Sequence, residues 1–318
     1  MKLMSILLAA ACPAAPASAQ VTGEEALSFP SLTMDDALFL SGRVEEAEPV
    51  TLTGRLRLPG STGGPVPAIV LLHGSDGARS AAAWNWAGVF ARAGYASFRI
   101  DSYTARGFDE IYTNQGGVGE FNNVVDAFEA LRLLAADPRI DRNRIAVMGF
   151  SRGGIPALYS AMTRFEALYA PEGLQFAAHL PFYPPCNFEL ERELEVGPQP
   201  IRAFHGDADV WNPLPVCADY VERLKSAGAD ASITVYPGAH HSFDHPGSPS
   251  YNVVGEAQTS RACFRREEGG VLVNAATGAP FSWADGCVEM GPAVQMNPQA
   301  MAAAERDVLD VLDAVFGR

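Results

Sequence analysis

The chain has 318 residues, 48% of them hydrophobic and 19% charged, enough to bury the core of one large α/β domain or two small ones. Its formal charge is −14, and Lys2 and Lys225 are its only lysines. A chain this acidic repels phosphate backbones, which sets nucleic acid aside as a partner.

In chain order, residues 1–19 read as an export signal. Lys2 is a minimal positive start, residues 3–11 are apolar, and Ala17-Ser18-Ala19 is a cleavage pattern before Gln20. The rival reading is a lipoprotein signal ending at Cys12, a weaker match because Ala9-Ala10-Ala11 lacks leucine three residues before the cysteine. No later run of 18 apolar residues suggests a membrane span, so a periplasmic or secreted protein is expected.

Residues 51–58 alternate as a strand. Residues 68–72 form a continuous apolar run ending in His73-Gly74, the mark of a buried strand entering a loop. Residues 81–93 are helical in pattern, and 95–100 form a strand ending at Asp101-Ser102. Val124, Val125, Phe128, Leu131 and Leu134 recur at helical spacing. A strand over 144–150 leads into a helix over 155–165. Strands follow at 176–182, 201–204 and 231–235, with a helix at 214–224. Asn297 caps a last helix with Pro298 in its first turn. Repeated strand–helix–strand units predict a mostly parallel central sheet with helices on both faces, its functional loops at the carboxyl ends of the strands. Residues 252–290 break the pattern and read as an insertion, either packed near the site or a surface flap.

Beyond the signal four cysteines remain. An even number in an exported chain suggests two disulfides, with three possible connectivities. The expected pairs are Cys186–Cys217, tying a strand end to the helix after residue 209, and Cys263–Cys287. The second closes a loop of about 25 residues, worth roughly 3 kcal/mol in the chain-entropy account.

Gly149-Phe150-Ser151-Arg152-Gly153 matches G-x-S-x-G between a strand and a helix. Such a turn holds the serine in a strained conformation at its apex, and glycines on either side let the chain pack closely. The helix N-terminus beside it favours an oxyanion. A serine needs a base, and this type of domain supplies its residues in the order serine, acid, histidine. His179 lies mid-strand and His205 ends a strand, so both read as structural. His240 and His241 share a loop after a strand, and either can serve. Asp207 and Asp209 follow the strand that ends at His205-Gly206, and either can orient the base. The run from His240 to His245 is also rich in metal-ligand types, but it lacks an H-E-x-x-H pattern and a second cluster, so no metal is expected.

The loop His73-Gly74-Ser75-Asp76-Gly77 can aim the Ser75 N–H at an oxyanion, with the Arg152 N–H as the second donor. Arg106, in the loop after residue 101, is a candidate for pairing with a substrate carboxylate, against the alternative of an internal salt bridge. Arg152 has the same two readings. Tyr103 and Trp211 join it as candidate substrate contacts. Trp84, Trp86, Phe150 and Phe243 are further aromatic candidates for which core packing is the safer reading.

Together Leu71-Leu72-His73-Gly74, Asp101-Ser102-Tyr103 with Arg106-Gly107, the Gly149–Gly154 elbow, Gly206-x-x-Asp209 and His241-x-Phe243 resemble the dienelactone hydrolase family of α/β-hydrolases. The resemblance spans residues 50–245 and the last helix, and it favours Asp209 over Asp207 and His241 over His240. It implies an α/β-hydrolase fold over residues 20–318, a cofactor-free ester or lactone hydrolase, and Ser151, His241 and Asp209 as its triad. The namesake enzymes carry cysteine where this chain has Ser151, which points toward ordinary esters. An exported peptidase of the same fold and a non-catalytic binding protein on this scaffold are the competing expectations.

Overall fold

The structure, a computed structural model, describes residues 23–60 and 63–318. The expected signal at residues 1–19, including Cys12, lies outside the described residues. Strand β1 (Glu24–Thr33) is followed by α1 (Asp36–Ser41), β2 (Glu48–Arg57), β3 (Val66–Leu72), α2 (Ala81–Ala93) and β4 (Ala96–Asp101). Next come α3 (Asn122–Ala136), β5 (Ile140–Phe150), α4 (Gly154–Tyr159), α5 (Thr163–Tyr169), β6 (His179–Phe182) and the short β7 (Phe188–Glu189). The frame then continues with β8 (Ile201–Gly206), α6 (Leu214–Ser226) and β9 (Ala231–Tyr236).

The central sheet has eight strands in the order β1-β2-β4-β3-β5-β6-β8-β9. The pairs from β4 to β9 are all parallel, and β2 is antiparallel to both of its neighbours. This is the mostly parallel α/β-hydrolase arrangement expected from sequence. β3 shows why its apolar run was readable. All seven of its residues are buried, with Ala68, Val70 and Leu72 facing one core and Ile69 and Leu71 the other. The first core receives α3 through Val124, Phe128 and Leu131, and α6 through Tyr220 and Leu224. The second receives α2 through Trp86 and Phe90, and the final helix through Val308 and Leu312.

Two features differ from expectation. β1 carries little hydrophobic alternation, with Phe29 and Ser31 its only buried residues, and Pro30 is tolerated because the strand lies at the sheet edge. The single helix expected over 155–165 is two short helices. Met162 turns to an extended conformation between them and bridges Val196.

The segment after β9 is a set of small ribbons. β10 (Asn252–Val253) pairs with β15 (Ala293–Val294), and β11 (Gln258–Thr259) with β14 (Glu289–Met290). β12 (Arg265–Glu268) and β13 (Val271–Asn274) form a hairpin that extends β7. Disulfides join Cys186 to Cys217 and Cys263 to Cys287, with Cα separations of 5.0 and 5.2 Å. Both pairs suit an oxidising, extracytoplasmic environment. The last helix, α7 (Pro298–Phe316), starts where the Asn297 side chain accepts from the N–H groups of Gln299 and Ala300. No helix among the described residues is long and apolar enough to cross a membrane.

Candidate active site

Strand β5 ends in the sharp turn that its glycines predicted. A Cβ on Gly149 would lie 1.9 Å from the Gly153 carbonyl oxygen, and one on Gly153 would lie 2.4 Å from the His73 carbonyl oxygen. Any side chain at either position would force the turn apart. Ser151 sits at the apex with φ at +52°, a left-handed conformation that costs about 1–3 kcal/mol in a non-glycine residue. The surrounding packing holds that strain and presents the hydroxyl.

Two neighbouring strands bring the partners. β8 ends at Gly206, where a Cβ would lie 2.0 Å from the Ala239 carbonyl oxygen, so the loop after β8 packs directly on the loop after β9. His241 Nδ1 lies 2.8 Å from Asp209 Oδ2, and His241 Nε2 lies 2.9 Å from Ser151 Oγ. With Nδ1 donating to the carboxylate, Nε2 is left to accept the serine proton. His241 is 1% exposed and Asp209 5% exposed, so bulk water does not compete for the bond between them.

Asp209 is held from several sides. Its Oδ1 accepts from the Trp211 and Asn212 N–H groups at 2.8 and 2.9 Å. Burial works to raise its pKa, but the charge and hydrogen bond of His241, helped by His205 and the Asn212 N–H, hold it below the ordinary carboxylate value. The imidazole is flanked by the rings of Tyr183 and Trp211, with centroids at 4.7 and 5.0 Å. Tyr183 donates to Asp244 Oδ1 (2.6 Å), and Trp86 Nε1 donates to the other oxygen (2.7 Å).

The alternatives do other work. Asp207 accepts from the Gly238 N–H at 2.6 Å and does not meet the histidine. His240 faces Tyr251. His205 donates Nε2–H to the Asn212 carbonyl at 2.7 Å, and His179 is fully buried, with a pKa pushed down to about 4 by that burial. His73 accepts from the Ser102 N–H through Nε2 and donates to the Gly74 carbonyl, as a loop brace. Among the described residues no group of three or more His, Cys, Asp or Glu side chains is placed to hold a metal.

Ser75 lines the site, and a Cβ on the adjacent Gly74 would come within 3.5 Å of Ser151 Cβ. The loop after β3 and the start of the elbow, Ser151-Arg152, therefore face each other across the serine. Ser75 Oγ donates to Gln115 Oε1 (2.9 Å), and the Gln115 N–H donates to Gln258 Oε1 (2.9 Å). Arg152 pairs with Glu120 at 3.5 Å and donates to the Val118 carbonyl at 2.7 Å. Glu120 in turn pairs with fully buried Arg265. Gln258 and Arg265 belong to the segment read as an insertion, which thus braces both proposed oxyanion loops.

Three candidate substrate contacts are corrected. The Arg106 side chain is 2% exposed and clasps Asp126 with two 2.8 Å bonds, so the internal salt bridge is the right reading. Arg152 is likewise spent on Glu120. Tyr103 is 1% exposed, packs edge-on against His73, and lines neither cleft at the serine. Trp211 does line the site, as does Phe150. Trp86 and Phe243 are core residues, and Trp84 lies on the surface under the Arg99 guanidinium.

Sequence reasoning missed Tyr183, Gln115, Glu120, Asp244, Arg265 and Trp283. Tyr183 follows directly on β6, so the rule that strand ends face the site could have found it. The other five sit in loops and small ribbons with no periodic signal.

A profile of the dienelactone hydrolase family matches residues 52–265, more than half of the chain. A protein of Yersinia pestis that carries the name carboxymethylenebutenolidase is 26% identical over 161 residues, 45% of this chain and 59% of that protein. This chain therefore spans less than two thirds of that relative. Among solved structures, a dienelactone hydrolase-like promiscuous phosphotriesterase from metagenomic libraries superposes with a TM-score of 0.56 at 16% identity, covering 92% of this chain and 99% of that one. The propionate-bound esterase of Thermogutta terrifontis gives 0.50 at 22% identity, covering 62% and 82%. At such identities these likenesses speak for the fold, and the profile match decides the family: the chain belongs to the dienelactone hydrolase family.

Proposed function

We propose that this protein is a serine hydrolase of carboxylic esters or lactones that works through an acyl-enzyme. The observation that carries the reading is the unbroken chain Ser151 Oγ–His241 Nε2–His241 Nδ1–Asp209 Oδ2, at 2.9 and 2.8 Å. Ser151 attacks the carbonyl carbon while its proton passes to His241 Nε2. Asp209 stabilises the imidazolium. The Ser75 and Arg152 N–H groups receive the oxyanion. As the carbon–oxygen bond to the alcohol breaks, His241 returns the proton to the leaving oxygen. Water then repeats the cycle on the acyl group. No cofactor enters this scheme.

The family, the relative's name and the esterase among the structural likenesses all support an ester as substrate. The reading treats residues 20–318 as one domain, with the insertion at 252–290 as a wall of its site. It places the protein in the periplasm or outside the cell, a view that two disulfides support.

The test compares wild type with Ser151→Ala on 4-nitrophenyl acetate. Hydrolysis by wild type should fall by at least about a thousandfold in the variant, with its melting temperature retained. Equal activity in a folded Ser151→Ala protein would refute the assignment. Cleavage of peptides in place of every ester would favour a peptidase.

A further inference from the structure

Two clefts of very different size meet at Ser151. The larger, about 240 Å³, is lined by His241, Ser242, His245, Tyr112, Ser248 and Asn252 among others. The smaller, about 20 Å³, is not lined by His241 and lies between Arg152, Glu120 and Gln115 and the insertion residues Thr259, Ser260 and Trp283. Ser75, Ser151 and Trp211 border both. An ester also has two sides, and the proton chemistry says which goes where. The leaving alcohol must take its proton from His241 Nε2, so it belongs in the cleft that His241 lines. The acyl group is then directed to the other cleft, the recess beside Arg152.

The recess sets the acyl size. A space of about 20 Å³ accepts one water-sized group. At that size a methyl is favoured over a propyl chain. Its walls are not easily displaced. Glu120 is locked between Arg152 and buried Arg265, and Trp283 packs on Gly116, where a Cβ would come within 3.1 Å of the indole. The larger cleft sets the alcohol. Its lining offers hydroxyls and an amide from Ser80, Tyr112, Ser242, Ser248 and Asn252 beside apolar Phe150, Val254 and Val294, and its ionic groups, Asp76 and His245, face each other at 3.4 Å. The one guanidinium bordering either cleft among the described residues, Arg152, is already paired with Glu120, and Arg106 with Asp126, so nothing waits for an anionic substrate.

We infer that the substrate is an acetyl-sized ester of a larger, uncharged, hydroxyl-bearing alcohol, with the acyl group seated against Trp283. This rests on the esterase reading above and narrows it. The test measures kcat/KM for 4-nitrophenyl acetate, butyrate and octanoate in wild type, Trp283→Phe and Trp283→Ala, alongside labelling of Ser151 by a fluorophosphonate and melting temperatures. Wild type should prefer acetate to butyrate by at least about tenfold, the scale set by added methylenes in a tight pocket. Trp283→Ala should bring that ratio toward one, with Trp283→Phe between. If Trp283→Ala fails to fold, Trp283→Phe carries the comparison. Acetylated glucose should be deacetylated faster than acetylated glucuronic acid, and the reverse order would overturn the assignment of the alcohol.

A labelled wild-type enzyme that prefers butyrate or octanoate would overturn the inference and leave the esterase intact. So would an unchanged acetate preference in both folded Trp283 variants. Absence of both labelling and hydrolysis would defeat the esterase reading, and this inference with it.

Discussion

Ser151, Asp209 and His241 stand on loops that leave β5, β8 and β9, three strands on one side of a parallel ladder. The segment 252–294 reaches the same place with ribbons two to four residues long, held by Cys263–Cys287 and by the Arg265–Glu120 contact. The sheet fixes where the reacting atoms lie, because each strand end is set by its neighbours' hydrogen bonds. The segment shapes the clefts around them and depends on cross-links for its own order. Changes in the first region should therefore alter rate more than stability, and changes to the cross-links of the second the reverse.

The sharpest contrast comes from Asp209→Asn. Asparagine keeps an oxygen for the Trp211 and Asn212 N–H groups but loses the charge that orients His241. The expected loss in kcat is about ten-thousandfold, with melting temperature close to wild type, read by ester hydrolysis and circular dichroism. A tenfold loss or less would mean that the carboxylate is not the orienting group.

Arg265→Met probes the other region. It leaves Glu120 buried beside Arg152 with half of its compensation gone, a change that costs about 3–5 kcal/mol. Denaturant unfolding measures it. If the variant is as stable as wild type, the segment does not lean on this pair.

Replacing Cys263 and Cys287 together by alanine should cost about 3 kcal/mol in the chain-entropy account. Hydrogen exchange should quicken in residues 252–294 first and leave β3 and β5 protected. Uniform loosening of the sheet would blur the distinction drawn here.

The smallest effect concerns pH. Burial, reinforced by the Glu120 carboxylate, pushes the Asp36 pKa up from its ordinary 3.8 to about 6. Between those values the folded state binds more protons than the unfolded chain, so this group's contribution falls as pH rises through the window. Asp36→Asn keeps an acceptor for the Phe121 N–H and should gain melting temperature over wild type at pH 7 but not at pH 4. An equal difference at both pH values would contradict the shift.

The frame was legible because its signals are local. The run over β3 is apolar throughout since both faces are covered, and G-x-S-x-G is dictated by contacts too close for a Cβ at Gly149 or Gly153. The order serine, acid, histidine follows from the topology that the alternation predicts. Choosing Asp209 and His241 over their neighbours needed the family resemblance, since Asp207 and His240 lie on the same loops and differ only in direction. Arg106 misled because a guanidinium after a strand end looks the same in sequence whether its partner is a substrate or Asp126, twenty residues on. Residues 252–294 were opaque for a related reason. Arg265 is buried by contacts with Glu120 and Asn187, each dozens of residues away, and no period in the chain announces such a pair.

The most direct test of the central claim is the rate at which a fluorophosphonate modifies the protein, with the adduct mapped by peptide mass spectrometry in wild type and in His241→Ala. The account predicts a single adduct on Ser151 in wild type, formed at least about a thousandfold more slowly without the imidazole. Modification at another residue, or an equal rate in folded His241→Ala, would contradict it.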